Sequence, residues 1–199
     1  MTAKAEKSDL LQAIRACELC ADRFAKTATA HRPRPIVWLS ATARILVAGQ
    51  APGARVHASG KPFTDPSGDR LRAWMGVSED EFYDVSRVAI LPTAFCFPGY
   101  NAKGSDLPPP PICASTWHDR VMRTLPEVKL TLLIGGYAQK YHLGVRGSVT
   151  DVVRDWRTAP AGVIPLPHPS WRNTGWIKKN PWFEAELVPH LREHVRSLL

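Results

Sequence analysis

Residues 49–63 read GQAPGARVHASGKPF and directly follow the apolar run ILVA at residues 45–48. Four apolar residues bounded by glycine predict a buried strand, and a glycine-rich loop at the carboxyl end of a parallel strand is a common ligand site. Two glycines flank Pro52, so the chain can turn sharply and bring its N–H groups close to a ligand. The stretch therefore predicts a pocket lined by backbone amides and the ring of Phe63. A plain turn that places Phe63 in the core is the alternative.

A second apolar run, VIPL at residues 163–166, leads into the tripeptide HPS at residues 168–170. Together the two motifs resemble those of the uracil-DNA glycosylase superfamily, above all its iron-sulfur branch, family four. In that branch the first motif is similar to G-E-[AG]-P-G, six further residues and G-x-P-F, and the second motif is H-P-S. The first motif fits this chain without insertion or deletion, and the resemblance extends from Cys17 to His168.

The composition suits one folded domain, which we expect to span residues 1–199. Hydrophobic residues make up 44% of the chain, enough for a full core, and no apolar run is long enough to cross a membrane. Lys and Arg number 26 against 18 Asp and Glu, and the net charge of +8 favours a polyanionic partner through phosphate contacts. A basic surface without such a partner is the alternative.

The first eight residues, MTAKAEKS, are polar, and no apolar segment typical of a secretory signal follows them. We therefore expect a cytoplasmic protein without membrane attachment, and we expect it to be a monomer. In the cytoplasm, cysteines serve as metal ligands or free thiols rather than as disulfides.

Short apolar runs alternate with helical patterns along the chain. Four strands are predicted at residues 44–48, from 88 towards 95, at 130–134 and at 163–166, and residues 36–39 indicate a further short strand. The first helix is expected with Ser8 or Asp9 as its N-cap, and the last, at residues 182–199, is expected to kink or split at Pro189. This alternation predicts a three-layer α/β/α sandwich on a mainly parallel four-stranded sheet, with both motifs at its carboxyl edge.

Four cysteines have a spacing typical of metal ligands. Cys17 and Cys20 form a C-x2-C pair, and Cys96 and Cys113 flank a long loop rich in Pro and Gly. In a compact domain a loop of this length usually either has a function or is held by a cross-link such as a metal site. Four thiolates can hold a [4Fe-4S] cluster or one Zn ion, and ligand chemistry alone does not separate the two. The resemblance to family four favours a structural [4Fe-4S] cluster. Four thiols that bind nothing are the remaining alternative.

The resemblance also implies catalytic and base-binding roles. Hydrolysis of a pyrimidine N-glycosidic bond creates an oxocarbenium-like sugar and an anionic base, so the site must extrude the base, stabilise the charge on its O2 and supply water. Phe63 is expected to stack on the base, and the amides near Gln50 and Ala51 are expected to bind its carbonyl oxygens. His168, as a neutral imidazole, is expected to donate to O2. Alternatively, the ring of His168 could simply make its hydrogen bonds within its own turn and have no catalytic role.

The loop after HPS is expected to contact DNA through Ser170, Trp171, Arg172 and Asn173. Trp171 would act as an apolar wedge that holds the gap left by the extruded nucleotide, and Arg172 would meet phosphate or base. If these are ordinary loop residues, DNA binding will not depend on them.

Two positions depart from the superfamily's pattern. Several branches place Asp or Asn where Ala51 stands, to handle water, although family four shares the small residue. Family four also has an Asn, whose amide reads O4 and N3–H of uracil, where this chain has Pro92. The absence of this amide indicates relaxed base selectivity, or recognition by other groups.

Three side chains are candidates to compensate for these departures. His57 could position water or the sugar, or could simply be exposed. Asp65 could orient water, or could cap the helix that begins near Ser67. Asn101 could offer the pocket a substitute amide, or could stabilise its own turn.

The sequence thus predicts a DNA-repair hydrolase: a monofunctional uracil-DNA glycosylase that leaves an abasic site in DNA containing uracil or another deaminated base. Two alternatives remain open. One is a glycosylase of broader specificity that accepts deaminated purines such as hypoxanthine, and the other is a member that binds nucleic acid without catalysis.

Overall fold

The computed structural model describes residues 3–199, with side chains from Ser8 onward. Its strands are β1 (Ile45–Ala48), β2 (Val88–Ile90), β3 (Leu130–Ile134) and β4 (Val163–Leu166). The α-helices of this part are α1 (Ala3–Arg15), α2 (Ala21–Ala25), α3 (Ala54–Ser59), α4 (Pro66–Met75), α5 (Glu79–Tyr83), α6 (Pro111–Met122), α7 (Gly135–Leu143), α8 (Val149–Arg154), α9 (Thr174–Lys179) and α10 (Val188–Arg196). Short 3₁₀ helices cover Trp156–Thr158 and Trp171–Asn173, and a π-helical segment covers Phe183–Leu187.

The four strands form one parallel sheet in the order β2-β1-β3-β4. One row of paired residues crosses the whole sheet, from Ile90 through Val47 and Leu132 to Ile164. This register aligns the carboxyl ends of the strands at one edge. The predicted α/β/α sandwich on a parallel four-stranded sheet is confirmed.

Helices cover both faces of the sheet, which explains why its strands are continuously apolar rather than alternating. Val47 points to one face, where it joins a core cluster with Leu71 of α4 and Leu191 of α10. The preceding residue, Leu46, points to the other face, where it joins a second cluster with Ile14 of α1. All five of these side chains are fully buried.

Local capping signals set the bounds of the helices that lead away from the first motif. The Asp65 carboxylate accepts a hydrogen bond from the Ser67 backbone N–H at 3.0 Å and caps α4, which ends at Gly76 with φ of 68°. Ser78 and Glu81 form a capping box at the start of α5. Because such signals depend on near neighbours in the chain, the sequence predicted both starts correctly.

Two expectations about the first forty residues were wrong. Helix α1 already begins at Ala3, so Ser8 and Asp9 lie inside it and do not cap it. Trp38 makes a single antiparallel bridge to Ile90, so the predicted short strand at its position does not form.

Helix α3 was also missed, because it lies inside the stretch that the sequence indicated to be a loop. Gly60, with φ of 74°, ends it in the left-handed conformation that glycine tolerates. At the other end of the chain, Pro189 was predicted to kink or split the last helix; the helix changes from the π-helical segment to α10 at Val188, just before Pro189, and its backbone stays helical across this change.

No helix within residues 3–199 is long and apolar enough to cross a membrane.

Candidate active site

A cavity of about 160 Å³ opens at the carboxyl edge of the sheet. Its walls come from parts of the chain that are far apart in sequence: the 49–67 segment after β1, Ile90 and Pro92 at the end of β2, the loop residue Asp106, and His168 after β4. The two sequence motifs therefore meet around one cavity, with Gln50 and Ala51 in the same wall.

Phe63 is held in an unusual conformation at the cavity wall. Its φ of 55° lies in the left-handed region, which bulky residues rarely adopt. Tyr83 donates its hydroxyl proton to the carbonyls of Pro62 at 2.8 Å and Phe63 at 3.0 Å, and its neighbour Phe82 meets the Phe63 ring edge-on with centroids 5.8 Å apart. Gly68 of α4 packs so closely that a Cβ there would stand 1.8 Å from the Phe63 carbonyl oxygen. Tyr83 and Gly68 thus fix the Phe63 backbone, and Phe82 packs against its ring.

The tautomer of His168 follows from its hydrogen bonds. Its Nδ1 receives the backbone N–H of Ser170 at 3.1 Å, and a backbone N–H can only donate. Nδ1 must then be unprotonated, so the neutral ring carries its proton on Nε2. The Asn173 side-chain amide donates to the His168 carbonyl at 2.8 Å and fixes the loop around the ring. His168 is therefore arranged as a hydrogen-bond donor through Nε2.

The surroundings of His168 favour the neutral imidazole. Although the residue is exposed to solvent at the open side of the cavity, desolvation by the surrounding protein lowers the pKa of His168 below its ordinary value, while the carboxylates of Asp65 and Asp106 act in the opposite direction. A neutral donor is suited to charge that develops on a leaving group, because its hydrogen bond strengthens as that charge grows.

Asp65 caps α4, which was one of the two roles that the sequence left open. Its Oδ1 accepts from the backbone N–H of Ser67 at 3.0 Å and from the Ser67 hydroxyl, which makes it the cap of α4. The residue also lines the cavity and acts electrostatically on His168.

His57 does not line the cavity, which corrects the expectation that it reaches the substrate there. Helix α3 places consecutive side chains about 100° apart, and Val56 is the one that lines the cavity. The His57 ring instead meets His31 edge-on with centroids 5.0 Å apart and lies 5.9 Å from Phe97.

Asn101 is also outside the cavity lining, and the expectation of a substitute amide is corrected in the same way. It is exposed, and its side-chain oxygen accepts the backbone N–H groups of Lys103 at 2.9 Å and Ser105 at 3.1 Å. The amide stabilises its own turn, which was the alternative interpretation.

Asp106 is the cavity residue that sequence reasoning missed. It lies five residues after Asn101 in the same irregular loop, where no strand or helix periodicity marks which side chains point inward. Desolvation by the surrounding protein raises the pKa of its carboxyl, although the residue is partly exposed to solvent, and Arg172 and His168 act in the opposite direction. The available signal was composition: it is the only carboxylate between Cys96 and Cys113.

The loop after His168 presents its side chains on a short 3₁₀ helix. The Ser170 hydroxyl accepts the backbone N–H of Arg172 at 3.3 Å and caps this helix. Arg70 of α4 donates to the Ser170 carbonyl at 2.9 Å and holds the loop beside the cavity. Trp171 is 72% exposed, more than any other large hydrophobic residue whose side chain is described.

All four cysteines line one apolar pocket, and none forms a disulfide. Burial raises the pKa of both Cys96 and Cys113 to about 12. The Phe95 backbone N–H lies 3.3 Å from the Cys113 sulfur, a hydrogen bond of the kind that tunes iron–sulfur centres. Four thiols converging on one apolar space fit the donor set of an iron–sulfur cluster or a zinc ion.

Within residues 3–199, no three His, Cys, Asp or Glu side chains form a group that could hold a single metal ion.

The family comparison agrees with this geometry. A family model described as the uracil DNA glycosylase superfamily matches residues 36–192, which include both motifs, all four strands and every residue of the cavity wall.

Proposed function

This chain belongs to the uracil DNA glycosylase superfamily, a membership that supports a glycosylase-type function and a DNA partner, and we propose that it excises uracil from DNA. The reaction hydrolyses the N-glycosidic bond and leaves an abasic site. The observation that carries the proposal is that Phe63 and His168, 105 positions apart in the sequence, line the same cavity.

In the proposed reaction the extruded base lies against the Phe63 ring, with the backbone near Gln50 and Ala51 binding its carbonyl oxygens. His168 donates its Nε2 proton in a hydrogen bond to O2, where negative charge develops as the glycosidic bond breaks. The neutral tautomer supports this role, because an imidazole with Nδ1 already occupied has only Nε2–H to offer the base.

DNA contacts are proposed for the Ser170, Trp171, Arg172 and Asn173 loop. The exposed Trp171 indole is placed to fill the gap left by the extruded nucleotide, and Arg172 is placed to meet phosphate. The net charge of +8 supports phosphate binding over the wider surface.

Cys17, Cys20, Cys96 and Cys113 are proposed to hold a [4Fe-4S] cluster, as some members of the superfamily do, with Zn as the alternative. When bound, the cluster supplies a structural link rather than redox chemistry at the base. The cysteines join the segment after α1 to the segment after β2 and to the first turn of α6, and they line one apolar pocket.

A glycosylase of broader specificity is the second candidate. Pro92 lines the cavity without a side-chain amide, and no Asn side chain of the described residues lines it either. Without that amide, the pocket lacks a hydrogen-bonding group that would discriminate between uracil and hypoxanthine. The single domain over residues 1–199, the monomeric state and the cytoplasmic location remain predictions.

The test incubates purified protein with labelled oligonucleotides that contain uracil, hypoxanthine or only normal bases, followed by alkaline cleavage of abasic sites. Product from the uracil oligonucleotide alone is the expected result. Product from both modified substrates favours the broader enzyme, and binding without product on any substrate would leave only the non-catalytic alternative.

His168→Ala should lower the single-turnover rate on uracil DNA by roughly 10²-fold or more, because the donor to O2 is lost. The matched control is His194→Ala, since His194 lies on α10 and does not line the cavity. Thermal melting of both variants should match that of the unchanged protein. Full activity of His168→Ala would refute the assigned role.

A further inference from the structure

Hydrolysis at the sugar C1′ needs a water molecule and a group that accepts its proton, and this requirement rests on the proposed glycosylase function. Ala51 has no side chain to do this. Asp65 already uses Oδ1 for the backbone N–H and hydroxyl of Ser67. The cavity contains one further carboxylate, Asp106.

A tight backbone turn places Asp106 in the cavity. The N–H of Asn101 donates to the Ser105 carbonyl at 2.9 Å, and the N–H of Leu107 donates to the Gly99 carbonyl at 2.9 Å. Between these bonds, Asp106 pairs with Tyr100 in an antiparallel bridge. The Asn101 side chain reinforces the turn through its two backbone contacts. Asp106 is therefore held by backbone hydrogen bonds on both sides.

The base of this turn is fixed against the cysteine region. Gly99, with φ of 90°, packs so closely on Thr27 that a Cβ there would come within 2.8 Å of the Thr27 Cβ. The Ala28 N–H also contacts the Tyr100 carbonyl at 3.4 Å. Both ends of the segment that carries Asp106 are bounded by cysteines of the shared pocket, Cys96 and Cys113.

The Asp106 carboxylate is free to accept a proton. Across the described part of the chain, none of the hydrogen bonds or ion pairs involves this side chain, whereas the other cavity carboxylate, Asp65, is partly engaged. The titratable or charged groups that act on Asp106 are Arg172 and His168, and Asp65 also acts on His168. A carboxylate beside a neutral donor and a cation matches the pairing of acid and base groups that glycosidic chemistry uses.

We propose that Asp106 is the catalytic carboxylate that binds the attacking water and accepts its proton. The water oxygen forms a bond to C1′ as the C1′–N bond of the base breaks, and the bonding electron pair leaves with the base. The developing anion is held by the Nε2–H of His168. One water proton passes to the Asp106 carboxylate, which returns it to solvent, and the departing base anion is protonated by solvent.

The test compares single-turnover excision of uracil by the unchanged protein, Asp106→Asn and Asp119→Asn, with the folded state of each checked by thermal melting. Asp119 is an exposed acid on α6 outside the cavity, so its variant changes the same charge without touching the site. A general base contributes about 10²–10⁴-fold. We therefore expect Asp106→Asn to lose at least about 10²-fold in rate while its affinity for the oligonucleotide stays the same.

The dependence of the excision rate on pH distinguishes a catalytic role of Asp106 from a purely structural one. The unchanged protein should lose activity as the pH falls through the raised pKa of Asp106, because protonation removes the acceptor. This step should be absent from the residual activity of Asp106→Asn. A second variant, Asp106→Ala, should regain part of its rate when formate is added as a substitute carboxylate.

The outcomes separate the two proposals. An active protein whose Asp106→Asn variant keeps its rate within about twofold, or loses affinity instead of rate, overturns the assignment of Asp106 and leaves the proposed function intact. Lack of formate rescue in a folded, inactive Asp106→Ala variant also counts against the assignment. If the unchanged protein yields no abasic product on any substrate, both proposals fall.

Discussion

Phe63 carries conformational strain at the residue scale. A bulky side chain with φ of 55° costs about 1–3 kcal/mol relative to an ordinary conformation, and such strain persists only where surrounding contacts impose it. Here the Tyr83 hydroxyl and the close backbone of Gly68 impose it. Strain of this kind is concentrated at functional sites, which agrees with a ring that must stay fixed to stack on a base.

Gly68→Ala tests this arrangement. The added Cβ would stand 1.8 Å from the Phe63 carbonyl oxygen, so the backbone of Phe63 or of α4 must move. Such overpacking should lower the free energy of unfolding by roughly 1–3 kcal/mol and reduce uracil excision as the ring is displaced. Thermal melting and the single-turnover assay measure the two effects.

Gly175→Ala is the matched control for this substitution. Gly175 lies in α9 with open space around its Cβ position, so alanine should leave activity unchanged and slightly stabilise the helix. Equal melting temperatures for Gly68→Ala and the unchanged protein would contradict the inferred close packing.

At the scale of elements, the loop after β4 combines a fixed backbone with an exposed apolar side chain. The Ser170 cap and the Arg70 contact hold its 3₁₀ helix, and nothing covers most of the Trp171 indole. A fixed loop loses little conformational entropy on binding, so an exposed indole there can contribute fully to a DNA contact.

Trp171→Ala should weaken binding to uracil-containing duplex DNA by roughly tenfold or more, since apolar wedges and stacking rings contribute about 1–3 kcal/mol. The melting temperature should not change, because the side chain is 72% exposed. Fluorescence anisotropy with a labelled duplex measures the affinity.

Val85→Ala controls for the loss of an exposed apolar side chain. Val85 is 42% exposed and comes just before β2, at the amino edge of the sheet and thus opposite the cavity. A Trp171→Ala variant that binds duplex as tightly as Val85→Ala would show that the loop has no role in DNA contact.

At the scale of the whole molecule, the cysteine pocket joins segments that are distant in sequence. Cys17 and Cys20 follow α1, while Cys96 and Cys113 bound the loop that carries Asp106. A cluster here would stabilise the fold by closing long loops and would also fix the position of that carboxylate.

Cys96→Ser should therefore act on both stability and catalysis. We expect the unchanged protein to be brown, with broad absorption at about 400 nm, and the variant to lose this colour, melt at a lower temperature and excise uracil more slowly. Iron and zinc analysis identifies the bound metal. Ser115→Ala, which alters an exposed side chain two residues from Cys113, should change none of these properties.

An unchanged protein that contains neither iron nor zinc, and a Cys96→Ser variant that melts at the same temperature, would show that the thiols bind nothing. Zinc instead of iron would mean that the four cysteines bind a zinc ion, which would still link these segments, and the assignment of a [4Fe-4S] cluster would be wrong.

Much of the candidate site was determined by local sequence. The strands β3 and β4 were predicted to the residue, and the motifs around Phe63 and His168 both line the cavity, as the sequence predicted. These features depend on apolar runs, glycine positions and helix caps, whose effects are exerted within a few residues along the chain.

Only the tertiary structure decided which of the remaining polar residues reach the cavity. The short α3 helix places Val56 rather than His57 at the cavity wall. The Asn101 side-chain oxygen accepts two backbone N–H groups of the turn that places Asp106 in the cavity. In an irregular loop, the direction of a side chain depends on contacts with segments about seventy residues away, such as Gly99 against Thr27, and no local pattern encodes those contacts.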